Sequence, residues 1–167
     1  MLLLTSLGSH AQNIDPKAST IEFTVTNLGI DVTGNFRAFS GTVQFDPAAL
    51  EAARFSMRIS AKSIRTGNNM RDEHLQEAEF FDVATHPSIT FESEQVAATA
   101  DGYTVTGTLN LKGTSKTIAI PFTTKEGMFT GSFTINRQDF NVGGDGFLDT
   151  IGDEVRIDLK CALQDEE

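Results

Sequence analysis

The chain has 167 residues, 39 % of them apolar and 22 % charged, enough for one domain with a real core and too few for two comfortable ones. Its 23 acidic and 13 basic residues leave a net charge of −10, which repels nucleic acid and anionic membrane surfaces. One cysteine, Cys161, rules out an internal disulfide, and no apolar run approaches the ~20 residues of a membrane-spanning helix.

Met1 to Leu7 is a short apolar run, and Ser9-His10-Ala11 is a small-residue stretch of the kind at which secretory signals are cut. Residues 1–11 therefore read as a signal-peptide remnant without the basic start of a complete one, and residues 12–167 as a single domain. Asp15-Pro16 predicts a turn. Residues 19–26 alternate, with Ile21, Phe23 and Val25 on a dry side, which predicts a strand. Leu28 to Asn35 reads as a Gly-bearing connection that either precedes or begins the next strand. The next strand runs to Phe45 with Phe39, Gly41 and Val43 on its dry side. Asp46-Pro47 opens a short helical turn near 47–53. Residues 54–62 alternate again, with Phe55, Met57, Ile59 and Ala61 facing one way.

Residues 63–87 break the rhythm. Asn68 or Asn69 caps a short helical insertion at about 68–80, carrying Met70, Arg71, His74, Leu75 and Ala78. Strands resume with Ile89, Phe91 and Val96. Asp101-Gly102 is a strong hairpin signal, followed by Tyr103, Val105, Gly107, Leu109 and Leu111 on one face. After a turn at Lys112-Gly113-Thr114, Ile118, Ile120 and Phe122 share a face, and Pro121 on the opposite face marks an edge or a bulge. Phe129 to Asn136 alternates strictly, with Phe129, Gly131, Phe133 and Ile135 inward. Residues 139–153 form a Gly- and Asp-rich loop, and a last strand spans about 154–164. Cys161 falls in phase with Val155, Ile157, Leu159 and Leu163, as a small apolar residue would.

Eight antiparallel strands joined by short turns favour an all-β, up-and-down barrel over a sandwich, because closure leaves no exposed edge. Such a barrel is either packed solid or holds one small ligand. Gly41, Gly107 and Gly131 each remove a side chain from the dry face, and the same glycines also suit strand bends or close packing. The 13 Phe carry no polar tip that must find a partner, whereas Trp is absent and Tyr occurs once. That wall suits an apolar guest and an ordinary core alike.

Polar clusters point to no strong chemical motif. Asp72, His74 and Glu77 match no metal-ligand spacing, and the acidic loop lacks the EF-hand pattern. Gly143, Gly144 and Gly146 do not open a helix after a strand, so no phosphate loop is supported. GxSxG and HExxH are absent. No catalytic residue, metal site or cofactor is therefore expected.

Ser63 to Asp82 reads SIRTGNNMRDEHLQEAEFFD. Together with FSGTVQFDP at 39–47, HPSITFESE at 86–94, GTLNLKGTSKTIAIPF at 107–122 and INRQDFNVG at 135–143, it resembles the signature of the YceI-like family of secreted bacterial lipid-binding proteins. The resemblance covers roughly residues 14–164. It implies a lipocalin-like barrel with a helical insertion. It also implies a polyprenyl phosphate or isoprenoid quinone held inside for binding, storage or transport, and a periplasmic or secreted setting. It allows a homodimer.

The dry faces then supply the expected lining. Phe23, Phe39, Phe45, Met57 and Ile59 come from the first three strands, Leu75 from the insertion, and Phe91 from the strand after it. Val105, Leu109, Phe122, Phe129, Gly131, Phe133, Ile135 and Ile157 complete the wall. Arg71 and His74 are expected at the mouth, facing a head group. Two alternatives stand beside this: an enzyme acting on a lipid head group, with His74 as general base and Arg71 binding charge, and a structural barrel with a filled core.

Overall fold

A computed structural model describes residues 10–144 and 150–165. The signal remnant expected at 1–11 lies almost wholly outside that range, as does the middle of the acidic loop.

The wall contains ten strand segments: β1 (Gln12–Asn27), β2 (Ile30–Phe36), β3 (Phe39–Gln44), β4 (Arg54–Ser60), β5 (Ile64–Arg65), β6 (Ser88–Ala98), β7 (Tyr103–Leu111), β8 (Thr114–Lys125), β9 (Met128–Asn136) and β10 (Ile151–Leu163). Two expected strands are broken. β2 and β3 are one long strand bent at Arg37-Ala38, pairing with the two ends of β1 in turn. β4 and β5 are likewise one strand, interrupted by a single 3-10 turn at Ala61–Ser63. Eight antiparallel strands therefore run up and down in chain order, and β10 pairs with β1 to close the barrel.

Local chemistry explains where the elements depart from expectation. Asp15-Pro16 makes no turn. β1 continues through it, and the register with β10 slips between Asp15 and Thr20, because proline cannot donate to a ladder. Ser19 repairs part of the slip, its Oγ accepting from Ala162 N at 2.9 Å. Near 47–53 there is one 3-10 turn, Leu50–Ala52, while Asp46 accepts from Ala48 N in the turn before it. The insertion holds one short helix, α1 (Asn69–Leu75), and continues as turns to residue 85. Asn68 caps α1, its Oδ1 accepting from Arg71 N at 3.1 Å.

Three two-residue turns, Leu28-Gly29, Lys112-Gly113 and Glu126-Gly127, place both residues at positive φ. That is the turn whose twist matches a right-handed hairpin. Asp101-Gly102 does join a hairpin, but in a wider loop closed by Thr99 N donating to Gly102 O at 2.8 Å.

The up-and-down order places the connections at two ends. The 99–102 loop, the 126–127 turn and the Leu50–Ala52 turn lie at one end. The turns at 28–29 and 112–113, the α1 insertion and the 137–144 segment lie at the other.

Candidate functional site

Two apolar clusters occupy the barrel, one toward each end. Val43, Val105, Ile120, Phe122, Phe129 and Cys161 belong to the first; Ile64, Phe80, Ile89, Leu111, Phe140 and Val142 belong to the second. Between them the inward side chains are only half-buried: Phe23 and Val25 on β1, Met57 and Ile59 on β4, Phe91 on β6, Phe133 and Ile135 on β9, Val155 and Ile157 on β10. Inward hydrocarbon that stays accessible marks unfilled space. A cavity of ≈ 280 Å³ runs there, from Ile14 and Phe129 at one end to Leu75 and Ile151 at the other. The barrel is therefore not packed solid.

The end with the 99–102 loop is shut by rings. Phe45 meets Tyr103 at 5.0 Å and Phe129 at 5.6 Å between centroids, and Phe55 meets Phe122 at 5.3 Å. Most of these contacts are tilted or edge-on, geometries that aromatic quadrupoles favour.

The opposite end carries the charged lining, Arg71 and Arg137, together with Asn27 and Thr66. Arg71 donates through Nε to Thr66 Oγ1 and through Nη2 to Thr66 O, both at 2.7 Å. Thr66 passes the interaction on, its Oγ1 donating to buried Asp72 Oδ1 at 2.6 Å, with its N–H on the same oxygen at 2.8 Å. The guanidinium is thus fixed in orientation. Arg137 is 4 % exposed and donates to the carbonyls of Val142, Gly144, Ile151 and Gly152, with Asp153 at 3.2 Å. It bolts the 137–144 segment to β10.

Of the expected lining, Phe23, Met57, Ile59, Leu75, Phe91, Val105, Leu109, Phe122, Phe129, Gly131, Phe133, Ile135 and Ile157 stand on the cavity wall. Phe39 and Phe45 do not. Phe39 packs between the two clusters, and Phe45 is absorbed into the ring plug. The two mouth residues part company: Arg71 reaches the cavity, while His74 is exposed, stacks edge-on against Phe80 and lies 3.7 Å from Glu77. Arg137 was missed, because a lone Arg after a strand carries no signal that it will be buried. The glycines also divide. A Cβ at Gly41 would overlap Ser56 O and one at Gly107 would overlap Glu92 O, so both serve close strand approach; Gly131 lines the cavity, and a Cβ there would press on Pro121 O at 3.1 Å and Ile120 Cγ2 at 3.3 Å. Cys161 is 8 % exposed, and burial pushes its thiol up to about 11, which makes it inert at neutral pH. Among the described residues no group of three or more His, Cys, Asp or Glu is placed to hold a metal, and no helix is long and apolar enough to cross a membrane.

The YceI-like domain profile matches residues 12–163. The chain belongs to the YceI-like family. A UPF0312 protein of Pectobacterium atrosepticum is 34 % identical over 136 residues, which is 75 % of this chain and 71 % of the relative. A UPF0312 protein of Pseudomonas aeruginosa is 32 % identical over 133 residues, 73 % of this chain and 70 % of the relative. The crystal structure of Burkholderia cenocepacia BcnA superposes with a TM-score of 0.81 at 31 % identity, covering 89 % of this chain and 98 % of that one. A polyisoprenoid-binding domain from Saccharophagus degradans, implicated in plant cell wall breakdown, shares the fold with a TM-score of 0.70 at 18 % identity, covering 92 % and 98 %. YceI-like barrels are thus this chain's structural kin.

Proposed function

We propose that this protein binds an isoprenoid lipid, with the hydrocarbon chain inside the barrel and the head group at the Arg71 end, and that it stores or carries the lipid without transforming it. The observation that carries this reading is the cavity lined by half-buried hydrocarbon, with charge at one end alone. Each buried methylene-sized group contributes ~0.8 kcal/mol, so every ten carbons held inside offer ~8 kcal/mol gross. Ordering costs hold the net value below ~20 kcal/mol. Such a site selects by length and width and needs few polar contacts. Arg71, held by two bonds to Thr66, keeps Nη1 for a phosphate or a quinone oxygen.

A periplasmic or secreted setting accords with the leader-like residues 1–11 and with the bacterial relatives. The alternative of head-group catalysis finds little support in the site, since His74 sits outside the cavity wall. Native mass spectrometry with geranylgeranyl phosphate tests the proposal. One lipid per barrel is expected, and His74→Ala keeps that stoichiometry. Failure to bind any long-chain isoprenoid, or lipid turnover lost in His74→Ala, contradicts it.

A further inference from the structure

The ladder around the barrel is interrupted between β1 and β2–β3, where Ile14–Ile21 have no partner on that side, and again between β8 and β9. β8 and β9 pair from Lys125–Met128 to Phe122–Gly131, and there the ladder stops. β8 continues to Thr114 paired with β7 alone, and β9 continues to Asn136 paired with β10 alone. The next residue of β8 past the last pair is Pro121, which has no N–H to offer a ladder. The five residues Ser132–Asn136 of β9 have no partner on that side, which at ~3.3 Å per residue makes a slit roughly 16 Å long.

The slit leads inward to hydrocarbon. Ile118 and Ile120 on one lip and Phe133 and Ile135 on the other all line the cavity, and Ile118, Phe133 and Ile135 are half-buried. At the apex of the slit an outer groove of ≈ 490 Å³ shares Phe122, Thr130, Gly131 and Leu159 with the cavity, so outside and inside meet across Gly131. At its open end a side chain from the β8 side reaches segments outside β9, beside Ile118 packed toward the Phe140 and Val142 cluster. Lys112, just before β8, donates through Nζ to Asn141 O at 2.7 Å and to Glu79 O at 3.2 Å, beyond the end of β9.

The two ends are costlier routes. One end is filled by the Phe45, Phe55, Tyr103, Phe122 and Phe129 rings. The other is held by the buried Arg137 and by the Arg71–Thr66–Asp72 chain, whose rupture would strand buried polar groups. Parting β8 from β9 beyond the Phe122–Gly131 pair breaks no ladder hydrogen bond.

We propose that the β8–β9 slit is a lateral portal through which a long apolar chain enters and leaves the barrel sideways, with Lys112 as its latch. The inference rests on the lipid-binding reading and adds the route. An extended chain entering sideways exchanges water for wall along its length, instead of threading end-on past rings or a bolted cap.

The test is the rate of loading. In Ala119→Cys/Thr134→Cys, the two outward positions lie opposite each other if the β8–β9 register is continued, and a short bis-maleimide would hold the lips together. Cys161 is buried and its thiol stays protonated, so it does not compete for the reagent. Geranylgeranyl phosphate is offered from phosphatidylcholine vesicles, and uptake is followed by native mass spectrometry. Cross-linking is expected to slow uptake at least tenfold at unchanged final stoichiometry, and Lys112→Met to speed it severalfold. The control Thr106→Cys/Ala119→Cys, cross-linked within the intact β7–β8 ladder, keeps the original rate. Uptake at the original rate by fully cross-linked protein, whatever its oligomeric state, overturns the portal. A protein that takes up no probe at equilibrium, cross-linked or not, refutes the lipid-binding reading itself.

Discussion

Ile157→Phe puts the unfilled interior to a quantitative test. Ile157 lies midway along β10, between Phe23 of β1 and Phe133 of β9, and its inward side chain is half-buried on the cavity wall. Phenylalanine adds three carbon-sized atoms. If they enter vacant volume, they displace about three methylene groups of a bound chain, which at ~0.8 kcal/mol each is about 2.4 kcal/mol, or roughly fifty-fold in affinity. The lipid-free protein meets the same atoms without overpacking, so its stability stays level or rises by up to ~1 kcal/mol. A solid interior would respond the other way, since forcing extra carbon into a packed core costs about 1–3 kcal/mol. Urea unfolding of delipidated protein and equilibrium titration with geranylgeranyl phosphate read the two quantities separately. Destabilisation above ~1 kcal/mol together with unchanged lipid affinity would refute the reasoning.

Arg137→Met should lower the unfolding free energy by about 3 kcal/mol, because one buried and two part-buried carbonyls lose their donor at once; a loss under ~1 kcal/mol by urea denaturation would show that the cage is dispensable. Arg71→Gln should weaken geranylgeranyl phosphate about tenfold or more while leaving the neutral alcohol geranylgeraniol nearly unaffected, from ~1.5 kcal/mol for a charge-assisted hydrogen bond. Equal losses for both ligands would remove Arg71 from head-group recognition. Cys161 gives a pH signature. Its folded thiol is pushed up to about 11 from about 9, so between those values the unfolded chain has lost a proton that the folded one keeps. Its contribution is therefore complete below pH 9 and is lost as pH rises toward 11, by about 3 kcal/mol in all. Cys161→Ala should flatten that alkaline decline in urea midpoints; an unchanged slope would assign the decline to other groups.

Strand positions were legible because their side chains alternate with little interruption. Phe129, Gly131, Phe133 and Ile135 advertise one dry face, and the fold uses that face as the sequence spacing requires. Strand breaks were less legible. Nothing in Phe36 to Phe39 marks the bend between β2 and β3, which arises because one long strand must pair with both ends of β1. Asp15-Pro16 carried a turn signal that the β1–β10 pairing absorbed as a slip in register. Pro121 was legible as an edge or bulge, yet its consequence, a seam left open on the far side of the barrel wall, depends on which strand lies beside it. At the site, alternation placed most of the lining but could not separate cavity from plug. Phe45 and Phe129 share the same inward pattern, and only ring packing at the closed end takes Phe45 off the wall. Closeness within the 63–82 segment put Arg71 and His74 together at the expected mouth. The bonds from Arg71 to Thr66 turn one inward, while contact with Phe80 holds the other outside.

Organic extraction of the protein purified from bacterial cells, followed by mass spectrometry of the extract, tests the central claim most directly. The account predicts one isoprenoid lipid per barrel, displaced from Ile157→Phe in proportion to its weaker binding. An extract without any long-chain lipid, from protein that also refuses added geranylgeranyl phosphate, would contradict it.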